Sequence, residues 1–305
     1  MSQDTLDLSA VIPVFNEAGN VAAVHADVTR VFAETGQAYE VLFVNDGSTD
    51  ETGDRLMALR ASDEHVRILE LDGNFGEAAA LSTGLRYARG NIVITLDGDG
   101  QNDPADIPHL LAALRPAHAA ASGWRQKRSE PYWTRVFPSR VANRFIAALT
   151  GVRVHDCGCG LKAYRRDRLS GVALPPGMNR FLPAVLGFRA EEVVEVPVRD
   201  RPRKAGSSHY GLKRIWPVLR DLPVLPFVVR RKPASVVRPL WVATALGVTL
   251  TGAAVALSVT TGPRELVVVA ALSGIASVVA GLALYGIRRF LDVQSKGACR
   301  IRELI

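Results

Sequence analysis

The sequence predicts an α/β domain built on a mainly parallel sheet and followed by a C-terminal membrane hairpin. Between residues 8 and 96, short apolar runs alternate with amphipathic helical patterns, as expected for parallel strands covered by helices on both faces. Polar clusters follow three of these runs. Beyond residue 238, two uncharged apolar stretches are each long enough to cross a bilayer, which takes about 20 residues.

The predicted strands and helices alternate along the N-terminal part of the chain. Apolar residues recur at helical spacing from Val21 to Phe32, around Leu56 and Leu59, and from Ala78 to Ala88. A later helix is expected at Phe181–Leu186. The expected strands are Leu8–Val14, Glu40–Val44, Val66–Leu71, Ile92–Leu96 and Glu191–Val198.

The polar cluster Asp97–Gln101 directly follows the fourth predicted strand. Residues i and i+2 of an extended segment point the same way, so we expect Asp97 and Asp99 to face one cleft. The intervening glycines allow a bulky ligand to approach the main chain. Carboxylate oxygens of this kind suit Mg²⁺ or Mn²⁺ bound together with phosphates. The alternative for this pentapeptide alone is a solvated turn, because Asp-Gly pairs are common in turns.

Two further polar clusters, Asn16-Glu17 and Asn45-Asp46, follow the first and second predicted strands. Ligands of parallel sheets bind beyond the carboxyl ends of the strands, where all three clusters are expected. This convergence favours a metal–phosphate site over a solvated turn. No G-x-G-x-x-G follows the first strand and no P-loop motif is present, so metal and side chains are expected to hold the phosphates.

Composition and the N-terminal residues indicate the cellular compartment of the first domain. The chain has a formal net charge of +7 and three cysteines, which exclude a disulfide framework and fit a reducing compartment. Met1–Asp7 has no signal-peptide pattern, so we expect a cytosolic N-terminal domain. His155, Cys157 and Cys159 lack the further ligands that a zinc site needs, which favours packing or local structure as their role.

The C-terminal part is predicted to anchor the chain in the cytoplasmic membrane. Pro239–Val259 and Leu266–Ile287 are the two expected spans, and basic residues at their outer ends place both termini in the cytosol. Arginines and aromatic residues in Trp124–Arg144 indicate a membrane-facing loop. A buried soluble hairpin is the alternative, which two uncharged runs of this length disfavour. The predicted divisions are a globular domain at 1–211, an interfacial amphipathic segment at 212–238, a transmembrane hairpin at 239–287 and a cytosolic tail at 288–305.

Four motifs form a recognisable set: Val11–Glu17, Val44–Asp50, Asp97–Pro104 and Asp156–Lys162. Together they resemble glycosyltransferase family 2, and more narrowly its polyprenyl-phosphate glycosyltransferases. The resemblance covers residues 8–215. It implies a GT-A fold, a nucleoside-diphosphate sugar as donor, a polyprenyl phosphate as acceptor, a divalent metal (Mg²⁺ or Mn²⁺) and an inverting transfer.

The resemblance also implies roles for individual residues. The residues implied at the donor nucleoside are Pro13, Phe15, Glu17, Val44 and Asp46. Those implied at the donor diphosphate are Asp97, Gly98 and Asp99, and the implied metal ligands are Asp97, Asp99 and Gln101. The arginines that match phosphate-binding positions are Arg125 and Arg203, and the residues that match lipid-phosphate contacts are Arg135 and Ser139.

Two positions depart from the pattern of the family, and one residue has two candidate roles. His209 stands in the donor-binding loop where relatives usually carry lysine, and its imidazole is neutral by default near pH 7. Asn179-Arg180-Phe181 stands where relatives often have His-Arg-Phe. Asp156 is a candidate catalytic residue near the sugar, with a structural capping role as the alternative.

The implied chemistry needs no general base. The nucleophile is an oxygen of the lipid phosphate, whose second pKa of about 6 leaves it ionised at neutral pH. The metal and the arginines would offset the repulsion between this phosphate and the donor diphosphate. The rival functions are a processive polysaccharide synthase, for which the Q-x-x-R-W motif is missing, a transferase acting on another acceptor, and a non-catalytic scaffold. No nucleic-acid partner is expected, and a homo-oligomer is expected from relatives that assemble.

Overall fold

A computed structural model describes residues 6–126, 147, 151–152, 154–169, 174, 177–202, 233–261, 264–296 and 301–304. The chain divides into two compact units. The first unit comprises Met1–His209 together with Gly297–Ile305, and the second is Tyr210–Lys296. The first unit carries the mixed sheet that the sequence predicts in part, and the second carries two long helices.

The first four strands form the parallel half of the sheet, as predicted. They are β1 (Leu8–Val14), β2 (Tyr39–Asn45), β3 (Val66–Leu71) and β4 (Ile92–Thr95). β1 lies between β2 and β4 and is parallel to both, and β3 extends the sheet beyond β2. Because helices cover both faces, these strands are continuous apolar runs rather than alternating patterns.

Three helices connect these strands: α1 (Val21–Thr35), α2 (Thr52–Ser62) and α3 (Glu77–Tyr87). The apolar stripes of α1 and α2 pack on one face of the sheet, and α3 packs on the other. α3 approaches the sheet closely at Gly84, where an added Cβ would lie 2.9 Å from Cγ2 of Val44. α1 ends at Gly36, whose φ of 67° is the left-handed conformation that glycine adopts without strain.

The second half of the sheet is less regular, and two of its strands were not predicted. After α4 (Ile107–Ala113) come β5 (Ala120–Arg125), β6 (Lys162–Arg165), the one-turn helix α5 (Leu182–Val185) and β7 (Val193–Val198). β6 pairs antiparallel with β4 and β5, whereas β5 and β7 are parallel. The predicted strand at Glu191–Val198 begins two residues later, after a single helical turn at Ala190–Glu192.

A short last strand, β8 (Ile301–Leu304), completes the order β7-β5-β6-β4-β1-β2-β3-β8. It pairs antiparallel with β3 at the edge of the sheet. The sequence predicted only a tail in this region. The chain therefore leaves the first unit, forms the second, and returns to the same sheet.

The second unit is a pair of helices, α6 (Pro233–Thr261) and α7 (Arg264–Lys296). Small and hydroxylated residues lie between them: Oγ1 of Thr251 is 2.8 Å from Oγ of Ser273, and a Cβ at Gly247 would overlap Oγ of Ser277. Within the described chain, the segment Leu266–Arg288 of α7 is long and apolar enough to span a bilayer, with 23 residues and a mean hydropathy of 2.4. α6 carries a shorter apolar segment, Trp241–Leu257.

Candidate active site

The carboxyl ends of β1, β2 and β4 lie at one edge of the sheet, where the predicted polar clusters follow them. The chain runs from β1 to β2 on one side, whereas β4 lies on the other side of β1. The crevice between the ends of β1 and β4 is therefore a topological switch point, the usual ligand site of an open α/β sheet. Oδ1 of Asn16 joins two of the loops here, since it accepts a hydrogen bond of 2.8 Å from the Thr49 N–H.

The loop after β4 is held in place by its own side chains. The N–H of Asp97 donates to Oδ1 of Asn102 over 2.9 Å, and the N–H of Gln101 donates to Oδ1 of Asp99 over 3.0 Å. Gly98 lies against the end of β1, because a Cβ there would be 2.7 Å from Cγ1 of Val14. Only glycine fits this contact, so the loop lies directly on the end of β1, beside the crevice.

Asp97 lies half-buried at the centre of this loop. Burial raises the pKa of its carboxyl to about 7, and the negative charges of Glu77 and Asp99 act in the same direction, against Lys162 and Arg125. A Cβ on Gly160 would overlap the Asp97 carboxylate, so the glycine of the fourth motif leaves the space that this carboxylate occupies. A half-buried carboxylate with a raised pKa, close to other acids, is an electrostatic environment that a cation would stabilise.

Arg125, at the end of β5, is bound on both sides by carboxylates. Its Nε and Nη2 donate to Asp156 over 2.8 and 3.2 Å, and its Nη1 lies 3.6 Å from Oδ1 of Asp200. Asp156 is fully buried, and the side chain of Asp200 is almost inaccessible to solvent. Burial acts to lower the pKa of the guanidinium, but the hydrogen bonds and charge of Asp156 raise it above its ordinary value. The structure thus brings together Arg125 and Asp156, two of the residues selected from the sequence, as an ion pair.

Lys162, the last residue of the fourth motif, is a buried cation to which the sequence assigned no role. Its Nζ donates to the carbonyl oxygens of Cys157 and Cys159, and its charge lowers the pKa of Asp97. Burial raises the pKa of Cys157 to about 12 and that of Cys159 to about 11. Both cysteines are thus neutral thiols that shape the turn around Lys162, which agrees with the structural role expected from the sequence.

Of the residues that the resemblance implies at the nucleoside, some lie at the rim of the site and others lie beneath it and hold its loops. Phe15 is 41% exposed at the rim, whereas the side chain of Val44 is fully buried beneath α3, so any contact from Val44 to a donor comes through its main chain. Asp46 accepts the N–H groups of Phe75 and Gly76, each over 2.8 Å, and burial raises its pKa. Asp46 therefore fixes the loop before α3. Pro13 is the penultimate residue of β1, and Glu17 accepts a hydrogen bond from the Asn20 side chain.

Glu77 and Asn179 are site residues that the sequence analysis did not select. Nδ2 of Asn179 donates to Oε1 of Glu77 over 2.6 Å, and Glu77 acts electrostatically on Asp97. Asn179 belongs to the segment in which this chain departs from its relatives. Glu77 is the first residue of α3, directly after Asn74-Phe75-Gly76. Its position at a strand–helix loop on the carboxyl edge is the signal that could have identified it.

Four implied phosphate and donor contacts lie outside the described residues: Arg135, Ser139, Arg203 and His209. Their roles stay predictions. Two arginines just before Arg203 are described, and both bind carboxylates. Arg199 binds Asp106, and Arg201 binds Asp27 and Asp103.

Comparisons with known proteins identify the family of this chain. The sequence profile named "Glycosyl transferase family 2" matches residues 9–171. A dodecaprenyl-phosphate galacturonate synthase of Rhizobium johnstonii is 38% identical over 239 residues, which cover 75% of this chain and 69% of that protein.

Solved structures show the same fold at low identity. Glucosyl-3-phosphoglycerate synthase from Mycobacterium tuberculosis, in complex with phosphoglyceric acid, has a TM-score of 0.57 at 17% identity, covering 73% of this chain and 80% of that one. A complex of that enzyme with Mn²⁺ and uridine-diphosphate-glucose has a TM-score of 0.56 at 18% identity, covering 73% and 79%. These structures show the GT-A type of α/β fold. The profile match and the sequence relative establish that this chain belongs to glycosyl transferase family 2.

Proposed function

We propose that this enzyme transfers a sugar from a nucleoside-diphosphate sugar to a polyprenyl phosphate at the cytoplasmic face of a membrane, with inversion at the anomeric carbon. The observation that carries the proposal is the pair Asp97–Asp99 at the switch point, in a site where acids outnumber cations. A lipid phosphate as acceptor is further supported by the galacturonate synthase relative, whose name specifies a dodecaprenyl phosphate.

The described residues fit a divalent metal together with the donor diphosphate. Asp97, Asp99 and Gln101 offer hard oxygen donors, which suit Mg²⁺ and Mn²⁺. Among the described residues, no three acidic, histidine or cysteine side chains form a complete metal site. This agrees with a metal that one or two carboxylates hold and that substrate phosphates complete. When bound, such a metal stabilises the negative charge of the departing diphosphate.

The charge balance of the site also supports the binding of a divalent metal. The described carboxylates in this network are Glu77, Asp97, Asp99, Asp156 and Asp200. They face two described cations, Arg125 and Lys162, and both of these are already bound to protein oxygens. A diphosphate adds further negative charge. A metal ion and the predicted phosphate-binding arginines outside the described residues, Arg203 at the donor and Arg135 at the acceptor, would compensate for it.

The chain's own residues act by binding and orientation rather than by proton transfer. The lipid phosphate is already ionised at neutral pH, since its second pKa is about 6. Asp46 and Asn16 hold the loops at the proposed nucleoside side, and Asp156 orients Arg125 beside Asp97. We assign the lipid phosphate to Arg135 and Ser139, and the donor phosphates to Arg203 and His209. In-line attack on the sugar would then invert its configuration.

The membrane topology follows from the path of the chain. β8 pairs with β3, so the residues on both sides of the α6–α7 pair belong to one sheet. A chain that returns to the same domain crosses a membrane an even number of times. If Leu266–Arg288 of α7 spans the bilayer, α6 must span it as well. We therefore propose a hairpin that anchors the enzyme with its catalytic domain in the cytosol.

The surface of the helix pair supports this anchor. Large apolar side chains on α6 and α7 are exposed, from 45% for Val279 to 63% for Leu272. A monomeric soluble protein rarely exposes an apolar surface of this extent. The guanidinium of Arg288 lies 5.5 Å from the ring centre of Trp241, which places an aromatic and a basic residue together, as is typical of a membrane interface.

A donor panel tests the proposal. Purified full-length protein, undecaprenyl phosphate and Mg²⁺ or Mn²⁺ are incubated with several labelled UDP- and GDP-sugars, and the label in the organic phase is counted. We expect one donor to give a lipid-soluble product that EDTA prevents. Label transferred only to water-soluble acceptors would indicate the alternative of another acceptor. No transfer and no donor hydrolysis from any donor would indicate a scaffold and would overturn the proposal.

A further inference from the structure

A short segment at the end of the sheet, Arg199–Pro202, crosses the loop that carries the paired carboxylates. Asp200 forms an isolated antiparallel bridge with Asn102. The N–H of Arg201 donates to the carbonyl oxygen of Gln101 over 2.9 Å. We call this segment the strap.

Two arginines of the strap bind acidic residues, one on α1 and two that follow the Asp97–Gln101 loop. Nη1 of Arg201 lies 2.6 Å from Oδ2 of Asp27 on α1, and its Nη2 lies 2.6 Å from Oδ1 of Asp103. Arg199 binds Asp106 through its main-chain N–H over 2.7 Å and through Nε over 3.1 Å. Asp103 and Asp106 are buried, so their charges require these partners.

A small cavity lies between α1 and the loop, lined among others by Asn20, Asp27, Asp97 and Gly100. Arg201 bridges from Asp27, which lines this cavity, to Asp103, which follows the loop. The side chain of Arg201 is 28% exposed, whereas that of Arg199 is 62% exposed. Solvent therefore screens the ion pairs of Arg201 less, and we expect them to contribute more than those of Arg199.

The strap is connected to Asp97, one of the proposed metal ligands, through Asn102. Asn102 pairs with Asp200 of the strap, and its Oδ1 accepts the hydrogen bond from the Asp97 N–H. A shift of the strap would therefore move Asn102 and with it the main chain of Asp97. Oδ1 of Asp200 in turn faces Arg125 at 3.6 Å.

From these contacts we infer that Arg201 is a positioning residue, which sets the geometry of the metal- and diphosphate-binding loop by clamping the strap between Asp27 and Asp103. The inference rests on the proposed function. Both arms of the Arg201 guanidinium bind carboxylates, those of Asp27 and Asp103.

The test compares Arg201→Gln, Arg201→Lys and a matched control in the full-length protein. The control is Arg30→Gln, which removes an exposed ion pair with Glu34 on the same helix as Asp27. Mn²⁺ binding is titrated by electron paramagnetic resonance, alone and with UDP or GDP, and the Tm is measured in parallel. We expect Arg201→Gln to weaken Mn²⁺ binding about tenfold, a loss of about 1.4 kcal/mol. Arg201→Lys should recover part of the affinity, and Arg30→Gln should bind as wild type does.

Wild-type Mn²⁺ affinity in Arg201→Gln would overturn the inference, as would an equal loss in Arg30→Gln. If Arg201→Gln does not fold, Asp27→Asn tests the inference instead, because it removes the charge of one partner of Arg201 and leaves the other, Asp103, in place. Unchanged Mn²⁺ affinity in Asp27→Asn then counts against the inference. Failure of the wild-type protein to bind Mn²⁺ with either nucleotide would instead contradict the proposed metal site itself, a result that the variants cannot imitate.

Discussion

Replacing Asp156 with alanine is predicted to destabilise the catalytic domain, because it leaves Arg125 without its main partner. The Asp156 carboxylate is fully buried and accepts hydrogen bonds from Nε, Nη2 and the main-chain N–H of Arg125, over 2.8, 3.2 and 3.3 Å. Removing one member of a buried ion pair costs about 3–5 kcal/mol. Asp200 remains 3.6 Å from Nη1 of Arg125 and compensates in part, so we expect about 3 kcal/mol.

This loss is measurable as a shift in thermal unfolding. For a domain of this size, about 3 kcal/mol corresponds to a Tm lower by about 6–12 °C. Asp156→Asn keeps the shape and one acceptor oxygen, so its Tm should lie between those of the wild-type protein and Asp156→Ala. Both variants should also lose transfer activity, since Arg125 is no longer held beside Asp97. Tryptophan fluorescence follows unfolding well, because Trp124 stacks on His155 next to this pair.

Two results would refute this reasoning. A Tm within about 2 °C of wild type for Asp156→Ala would show that the pair contributes no net stability, as for an exposed ion pair. A variant Asp156→Asn with wild-type Tm and a strongly reduced kcat would point instead to a contact with the sugar, the other role considered for this residue.

Three further changes have expected outcomes. Asp97→Asn should abolish transfer yet raise the Tm of metal-free protein at pH 8: burial raises the pKa of Asp97 to about 7, so its contribution to stability is present below pH 4 and lost as the pH rises through 7. An unchanged Tm at pH 8 would argue against this. Gly160→Ala should weaken Mn²⁺ binding at least tenfold in a titration, since its Cβ overlaps the Asp97 carboxylate; normal binding would count against the site. Glu40→Ala, at the opposite edge of the sheet, removes the 2.6 Å ion pair with Arg67 and should lower the Tm while leaving the affinity for Mn²⁺ unchanged; a loss of affinity would contradict this separation.

The first four strands were predictable because each is a short apolar run buried on both faces. The polar residues after three of them could then be placed at one edge by the rules for parallel sheets. β6 and β8 could not be found this way. β8 is Ile-Arg-Glu-Leu, four residues without a strand pattern of their own, and its conformation comes from pairing with β3 more than 200 residues earlier. Such pairing is not encoded in local periodicity.

The site was predictable in its composition and less so in its contacts. Asp97, Asp99, Arg125 and Asp156 are all on the expected edge, but a sequence motif does not show that Arg125 and Asp156 neutralise each other. The same limit applies to Arg201. It lies in a basic stretch of sequence, and its partner Asp27 is distant in the sequence although the two side chains are in contact. Charge counts along the chain therefore overstate the positive field that a phosphate meets.

Val44 illustrates a different limit. Its motif position is at the nucleoside, yet its side chain faces α3, because alternate residues of a strand point to opposite faces and Gly84 opens space for it there. A motif identifies which residues lie near a ligand. Which of their atoms face that ligand depends on the register of the strand.

The most direct test of the proposed reaction compares two acceptors that differ only in the phosphate. Purified full-length protein is given the labelled donor identified by the panel, Mn²⁺, and either undecaprenyl phosphate or undecaprenol. If an ionised phosphate oxygen is the nucleophile, label should enter the lipid only with undecaprenyl phosphate, and Asp99→Ala should abolish that transfer. Equal labelling of undecaprenol, or transfer that persists in EDTA and in Asp99→Ala, would contradict a metal-assisted transfer to a lipid phosphate.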